Sequence, residues 1–389
     1  MSNRNSMNQF FDRLSRKKGT GSFISSLVAI GIGLVIGLII LLISNPREAF
    51  AGFFTMLIGG FNDGTRSFGN VFYIATPIIM TGLAVGFAFK TGLFNIGASG
   101  QFIVGAYVAV LIGVKLPQLG GFQWVLGILA AMAIGTIWGA VPGLLKAYLN
   151  VHEVIASIMM NYIGMFMVNY LIKQTVLNVY TNRSLAVAPT ANIPKMGLTA
   201  IFPGSSINGG FLIAILFVIL MYIILEKTTF GYELKACGHN RFAAKYAGIN
   251  ENRSIILSMA ISGMLAGVGG ALHYLSGAGV YIEVVDVLAA QGFTGISVSL
   301  LGMSNPIGVF FAGIFIAWLQ IGGFYMQRYS FVPEFIQIIT AIIIYCSAAS
   351  LLIRNYLELR QLKKDENLTA DSDGDTADIV NVENQGGDK

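Results

Sequence analysis

Long apolar segments dominate this sequence, and they constrain its fold more than any other feature. Nine of them are long enough to cross a hydrocarbon core of about 30 Å, which takes about 20 helical residues. Uninterrupted apolar runs of this length are typical of helices, which satisfy their own backbone hydrogen bonds in lipid. We therefore predict an all-α, polytopic membrane protein. The predicted spans are residues 23–44, 71–89, 96–114, 123–145, 154–172, 209–225, 254–275, 306–323 and 332–353.

A tenth apolar segment, residues 291–303, is too short to cross a bilayer as a single helix. It is rich in Gly and Ser, and two interpretations remain open. It is either a half-helix buried among its neighbours or a re-entrant segment. The predicted total is therefore about ten transmembrane helices.

Composition and charge agree with this class. Hydrophobic residues make up 55% of the chain and charged residues 11%, whereas soluble domains carry about 25% charged residues. If both termini are cytosolic, 17 of the 24 Lys and Arg residues lie on the cytosolic side and 7 outside. This bias predicts a multi-pass protein of the cell membrane with both termini cytosolic. The positive net charge then reflects topology and anionic lipids, and no nucleic-acid partner is expected.

Two tails flank the predicted membrane domain, residues 23–353. Residues 1–22 form a basic tail on the cytosolic side. Residues 354–389 form a second cytosolic tail, which is acidic and poor in apolar residues from Asp365 onward. We expect this tail to be disordered from that residue.

A charged island, residues 226–252, interrupts the apolar pattern, and its basic residues place it on the cytosolic face. Asn240 is predicted to cap a short helix over residues 241–247, which Gly248 ends in a left-handed turn. The small side chains on one side of this helix are Ala243, Ala244 and Ala247. Because such side chains let another surface approach the backbone, we predict that the island docks a cytosolic partner.

The predicted spans hold no Asp, Glu, Lys or Arg away from their ends. An ion-driven carrier usually keeps such a residue at membrane depth. The sequence also lacks the GxxxxGK[ST] loop of P-loop ATPases, and its three histidines lack metal-ligand spacing. We therefore predict no cofactor, no metal and no ATPase site in the chain, with a separate ATPase as energy source. A stand-alone carrier or channel is the alternative from another class.

Several motifs resemble a known family of transport proteins. The charged island resembles the coupling segment of the permeases that serve branched-chain amino acid, ribose and nucleoside ABC importers. The runs TGLFNIGASGQ from Thr91, NVHEVIASIMMNYI from Asn150 and GFTGISVSLLGMSNPIG from Gly292 resemble the nucleoside-importer branch of that family. The resemblance covers residues 20–355. The matching island residues are Gly231, Leu234, Ala236, Gly238, Asn240, Ala243, Ala244, Tyr246, Ala247, Gly248 and Ile249.

The resemblance implies a type II ABC importer-like permease, which forms half of a transmembrane dimer and moves nucleosides inward by alternating access. It implies a cytosolic ABC ATPase, a second permease subunit, a substrate-binding lipoprotein and membrane lipids as partners. A branched-chain amino acid or sugar permease is the alternative within the family. Ser99 departs from the branch, which commonly has an acidic residue there, so no role of that acid carries over. The implied coupling residues are Gly238, Asn240, Ala243, Ala244, Tyr246, Ala247 and Gly248.

Neutral polar and aromatic side chains in the spans are the candidates for a substrate path. A nucleoside is neutral, with a flat base that stacks on aromatic rings and edges that pair with amides. An amino acid would ordinarily call for charged partners or aimed helix termini. Helix packing and interhelical hydrogen bonds are the alternative explanation of the same residues. The candidate path residues are Asn95, Gln101, Asn161, Tyr162, Gln291 and Phe293.

The motif at residues 150–153 also has two interpretations. The structural one makes Asn150 the N-cap of the following helix, with Glu153 completing a capping box. The functional one makes the motif part of a gate.

Overall fold

The computed structural model of the protein describes residues 20–332 and 334–346. The predicted tails, apart from residues 20–22, and the end of the last predicted span lie outside the described residues. The chain divides into two compact units. One is Gly37–Ala341, which contains every candidate site residue. The other, within the described part, comprises residues 20–36 and 342–346.

The described residues are largely α-helical. The α-helices are α1 Thr20–Ser44, α2 Ala49–Ile58, α3 Gly64–Lys90, α4 Ala98–Lys115, α5 Gln123–Leu149, α6 Glu153–Thr175, α7 Leu198–Ile201, α8 Gly210–Lys227, α9 Thr229–His239, α10 Arg241–Tyr246, α11 Glu251–Tyr274, α12 Ala290–Leu301, α13 Pro306–Met326 and α14 Glu334–Cys346. Short 3₁₀ helices are Gly59–Phe61, Pro117–Phe122, Pro189–Ala191 and Gln327–Tyr329. The strands β1 Leu177–Asn178 and β2 Arg183–Ser184 form an antiparallel hairpin.

In the described part of the chain, 7 helices are long and apolar enough to cross a membrane: α3, α4, α5, α6, α8, α11 and α13. Each coincides with a predicted span, which confirms those predictions. Helix α1 covers the first predicted span, and α14 covers the described part of the last one. The short apolar segment forms α12, a helix of 12 residues. Helix α2 lies outside every predicted span.

Close backbone contacts hold α11 against α4 and α5. A Cβ added at Gly263 of α11 would lie 2.7 Å from the Cα of Gly139 on α5, and one at Gly267 would lie 3.1 Å from the Cα of Gly135. On the other side, a Cβ at Gly105 of α4 would lie 2.5 Å from the Cα of Gly267. Small residues allow this close packing, which van der Waals contact stabilises in a membrane. These contacts bury α11 between two neighbours.

We expect Gly263→Ala to destabilise the folded chain by about 1–3 kcal/mol, because the added methyl group must displace backbone atoms of α5. The midpoint of thermal unfolding in detergent should fall accordingly. The matched control is Gly31→Ala on α1, where a Cβ meets nothing within 4 Å. Equal midpoints for the two variants would contradict the close packing of α11.

A main-chain bridge and side-chain hydrogen bonds fix the chain that leads into α12. Arg183 of β2 forms an isolated antiparallel bridge with Glu283. On α6, the Asn169 side-chain amide donates to the carbonyl oxygen of Val285 at 2.9 Å and to the Asp286 carboxylate at 2.9 Å. The N-terminus of α12 is thereby held beside α6.

The structural interpretation of residues 150–153, with Asn150 as an N-cap in a capping box, is wrong. Asn150 has a φ of 51° and is the left-handed residue that ends α5. His152 caps α6 instead, its ring nitrogen accepting from the backbone N–H two residues on at 3.4 Å. Glu153 is the first residue of α6 and pairs with Lys146 at 3.0 Å. The motif misleads because Asn is favoured both as an N-cap and in left-handed positions after a helix.

Candidate functional site

An unwound segment, residues 91–97, separates α3 from α4. Gly92, with a φ of 73°, redirects the chain after α3. The hydroxyl of Thr91 donates to the hydroxyl of Ser258 on α11 at 2.7 Å. The segment then runs among the helices, where Leu93 and Asn95 are buried, until α4 begins. Non-helical backbone in such a position needs partners for its polar groups.

Asn95 is the centre of a hydrogen-bond network. Its Oδ1 accepts from the Gly97 N–H at 2.9 Å, and its Nδ2 donates to Gln101 Oε1 at 2.9 Å and to Ser262 Oγ at 2.7 Å. The Ser262 hydroxyl in turn donates to the carbonyl oxygen of Ala84 at 2.5 Å. Asn95 is 0% and Gln101 1% exposed. One amide therefore ties the unwound segment to α4 and α11, and through Ser262 to α3.

Asn161 clamps the same segment to α6. Its Oδ1 accepts from the Gly100 N–H at 2.7 Å, and its Nδ2 donates to the carbonyl oxygen of Ile96 at 3.0 Å. The side chain is buried, like those of Asn95 and Gln101. Asn95 and Asn161 thus satisfy backbone groups that the break between α3 and α4 leaves without helical partners, while Gln101 bonds to the Asn95 side chain.

Spare hydrogen-bonding capacity remains beside this network. The Ser157 hydroxyl on α6 is buried and has no hydrogen-bond partner within the described residues. Gln101 Nε2 makes only a long contact with Asn95 Oδ1, at 3.4 Å. A Cβ at Gly97 would lie 3.3 Å from both Gln101 Nε2 and Ser157 Cβ, so these two groups are neighbours. The network is therefore not saturated in this conformation.

Two predicted path residues are open rather than buried. Tyr162 is 46% and Phe293 42% exposed. Tyr162 lies near the middle of α6, and Phe293 lies in the first turn of α12. The N-terminus of α4 contacts both helices, because Gly100 bonds to Asn161 and the Ser99 hydroxyl donates to the carbonyl oxygen preceding α12 at 2.8 Å. The exposed side chains that continue the stripe of Tyr162 along α6 are Ile155, Met159, Phe166 and Tyr170.

Gln291 lies at the start of α12 and is half-buried. Its carbonyl oxygen accepts from the Thr81 hydroxyl of α3 at 2.9 Å, and its Nε2 lies 3.5 Å from Nε2 of His273 on α11. His273 Nδ1 is buried without a partner among the described residues. The side chains of Gln291 and His273 form a second polar pair. This pair lies at the N-terminal end of α12, opposite the end that leads into α13.

The structure brings Asn95, Gln101 and Asn161 into one buried network and places the other three path residues on the helices beside it. Sequence reasoning missed the polar residues on α6 and α11 that lie beside the unwound segment and the predicted path residues. Serines are common wherever membrane helices pack, so a single one carries little signal. The available signal was the four-residue spacing of Ser258 and Ser262 along α11, which places these two serines on one helix face. The missed residues are Ser157, Ser258, Ser262 and His273.

The charged island folds into α9 and α10. The Asn240 side chain accepts from the Ala243 N–H at 3.0 Å, which confirms the predicted cap. Gly248, with a φ of 83°, follows the helix, and α10 ends at Tyr246, one residue earlier than predicted. Glycine suits this position because it adopts positive φ without steric cost.

One side of α10 is open to solvent, and we call its residues Phe242, Ala243, Tyr246 and Ala247 the docking surface, after the role predicted for the charged island. Tyr246 is 95% exposed. Ala244 differs from the expectation, because it is only 4% exposed and packs inside the chain. The error arises because the inward face of so short a helix cannot be told from its outward face when both carry alanine.

Ion pairs hold the docking surface in place. The Arg241 Nε donates to Glu251 at the start of α11 at 2.6 Å, and Lys245 lies 4.0 Å from the same carboxylate. Lys235 of α9 pairs with Glu226 of α8 at 3.1 Å. Each partly exposed pair contributes little to stability. Together they orient α9 and α10 against the ends of two long helices.

Comparison with known proteins agrees with this architecture. Residues 67–348 match the family model described as branched-chain amino acid transport system / permease component. The chain is 39% identical over 335 residues to the guanosine ABC transporter permease protein NupP of Bacillus subtilis, covering 84% of this chain and 93% of that protein. It is 34% identical over 337 residues to the nucleoside ABC transporter permease protein NupB of Lactococcus lactis, covering 84% and 91%.

A third relative is named for a different substrate. The chain is 29% identical over 344 residues to the glucose ABC transporter permease protein TsgB13 of Haloferax volcanii, covering 85% of this chain and 87% of that protein. No solved structure matches the chain significantly. The family match covers well over half of the chain and agrees with the seven membrane-spanning helices. This multi-pass membrane protein therefore belongs to the permease component family of branched-chain amino acid transport systems.

Proposed function

We propose that the chain is the permease subunit of an ATP-binding cassette importer for nucleosides. It forms half of a transmembrane dimer of the type II class, with about ten spans, both termini cytosolic and no ATPase site of its own. A cytosolic ATPase drives alternating access, and a substrate-binding lipoprotein delivers the nucleoside from outside. The domain boundaries that belong to this proposal are residues 1–22, 23–353 and 354–389, with the coupling loop at 226–252.

The observation that carries the proposal is that, among the described residues, the hydrogen-bond network around Asn95 and Asn161 contains no carboxylate or ammonium group. Its central network consists of amides, hydroxyls and backbone groups around Asn95, Gln101 and Asn161. Burying the two charges of an amino acid there would cost much free energy without charged partners. A nucleoside is neutral at pH 7, and the names of the guanosine and nucleoside permease relatives support the same substrate class.

The path itself runs along the open aromatic side chains beside this network. The Tyr162 hydroxyl makes no hydrogen bond within the part of the chain that the structure describes, and Tyr162 lies near mid-span. A hydroxyl facing hydrocarbon would stay unsatisfied, so a wet path or a partner subunit is the better environment. Tyr162 and Phe293 offer flat rings on which a base stacks, while Gln291 offers an amide for its edge.

Uptake competition tests the substrate. Cells that contain this permease with its partners should take up labelled guanosine or adenosine, and cells without the gene should not. An excess of unlabelled nucleoside should reduce the uptake, whereas leucine, ribose and glucose should not. Competition by leucine or a sugar, together with none by adenosine, guanosine, uridine or cytidine, would overturn the proposed substrate class.

A sugar permease is the second candidate, and a specific observation favours it. The glucose relative covers most of the chain, and a sugar, like a nucleoside, is neutral. Removal of an aromatic side chain distinguishes the two substrates, because a nucleobase presents two flat faces that stack on an aromatic ring. Replacing Phe293 with Leu should therefore weaken nucleoside uptake and barely affect sugar uptake.

A further inference from the structure

We propose that Gly238 is a positioning residue that passes movement of the docking surface to the unwound segment, residues 91–97. This inference rests on the proposed function, because it assumes that an ATPase moves the docking surface. Contacts between residues of the chain would then connect the docking surface with the residues beside the substrate path.

The first link is a direct contact between two backbones. Gly238 lies at the end of α9, two residues before Asn240 caps α10. A Cβ added at Gly238 would press on the carbonyl oxygen of Lys90 and lie 3.0 Å from the Gly92 nitrogen. A Cβ at Gly92 would lie 3.3 Å from both Cα and carbonyl oxygen of Gly238. Backbone atoms cannot rotate out of the way, so the two turns must move together or separate.

The second link runs through α11. This helix begins at Glu251, at the end of the coupling loop, and the Glu251 carboxylate is bonded to Arg241 of α10. About two turns further along α11, Ser258 accepts a hydrogen bond from Thr91, and one turn beyond it Ser262 accepts one from Asn95. The docking surface is therefore connected to the unwound segment from both of its flanks.

The unwound segment is also the place where a displacement would reach the path. Its far end is held by Asn161, next to Tyr162, and the N-terminus of α4 contacts the start of α12. The unpaired Ser157 hydroxyl and the weakly bonded Gln101 amide can accept new partners when the segment shifts. Exchange of partners makes such a movement less costly than breaking bonds outright.

There is room for the movement on the cytosolic side. A cavity of about 260 Å³ adjoins the contact between the two glycines, with Lys146, Glu153 and Cys237 among its lining residues. Close packing elsewhere in the bundle leaves few such spaces. The end of α9 and the start of the unwound segment can therefore shift together into this space.

The test separates transport from ATP hydrolysis. The complete complex, with its ATPase and lipoprotein, is reconstituted in vesicles, and labelled-nucleoside uptake and ATP hydrolysis are measured on the same preparation. In Gly238→Ala we expect the ATPase to stay bound and hydrolysis to remain within about twofold of wild type, while uptake falls at least roughly tenfold. The neighbouring exposed residue gives the control, because His239→Ala should change neither rate.

A second pair of variants keeps the inference testable if Gly238→Ala does not assemble. Thr91→Val preserves the shape of the side chain but removes the hydroxyl that bonds to Ser258. It should lower uptake per ATP hydrolysed about threefold or more, and Thr91→Ser, which keeps the hydroxyl, should restore the ratio.

Two results would overturn the inference. One is a proportional fall of uptake and hydrolysis, which would mean that Gly238 and Thr91 only support the fold. The other is uptake and hydrolysis that both stay at wild-type rates in Gly238→Ala and in Thr91→Val. Failure of the wild-type complex to carry nucleosides would contradict the proposed function instead, and the ratio would then be measured with the substrate that it carries.

Discussion

Asn95→Ala is expected to lower nucleoside uptake by the assembled complex about thirtyfold. The substitution leaves the Gly97 N–H, Gln101 Oε1 and Ser262 Oγ without the partner that each has in the structure. A buried polar group without a partner costs about 1–3 kcal/mol, and roughly 2 kcal/mol of net loss corresponds to about thirtyfold. Uptake of labelled guanosine into vesicles, normalised to the amount of assembled complex, measures the effect.

Two further variants make the result specific. Ser99→Ala removes a single hydrogen bond at a neighbouring buried position and should reduce uptake no more than about threefold. The double variant Asn95→Ala with Gln101→Ala should be little worse than Asn95→Ala alone, because the two side chains bond to each other. If the Asn95→Ala complex keeps half of the wild-type uptake, the hydrogen-bond network around Asn95 is not needed for nucleoside transport.

Much of the fold was predictable because a membrane allows few solutions. Apolar segments of sufficient length must be helices, and the seven confirmed spans follow from that constraint alone. Helix α2 was not predictable in this way, because its ten residues are too few to cross and its position depends on packing. For example, a Cβ at Gly322 of α13 would lie 2.8 Å from the Cα of Met56 on α2. Such contacts leave no periodic signal in the sequence.

The candidate site was predictable by residue type but not by role. Amides in apolar spans need partners, and that rule selected Asn95, Gln101 and Asn161. It could not show that these amides form hydrogen bonds within or to the unwound segment. Those bonds depend on where the break between α3 and α4 lies in three dimensions. Exposure likewise depends on tertiary packing, which is why Ala244 turned out buried while Tyr246 stands open.

Ala243→Arg is expected to abolish nucleoside uptake and to prevent the ATPase from co-purifying with the permease. Ala243 is exposed on the docking surface, between the aromatic rings of Phe242 and Tyr246 along the sequence. A long charged side chain there would hold a partner away from the backbone of α10 and would have to be desolvated in the interface. The permease itself should still insert and fold, because no described contact inside the chain depends on a small residue at this exposed position.

The matched variants use the same helix. Ala243→Ser adds one atom and should keep both uptake and co-purification. Ala244→Arg should instead reduce the amount of folded permease, because Ala244 is buried inside the chain. The measurement is the ratio of ATPase to permease after affinity purification, together with uptake in intact cells. Normal co-purification of the ATPase with Ala243→Arg would place the ATPase contact elsewhere than on α10, and the route from the docking surface to the unwound segment would lose its starting point.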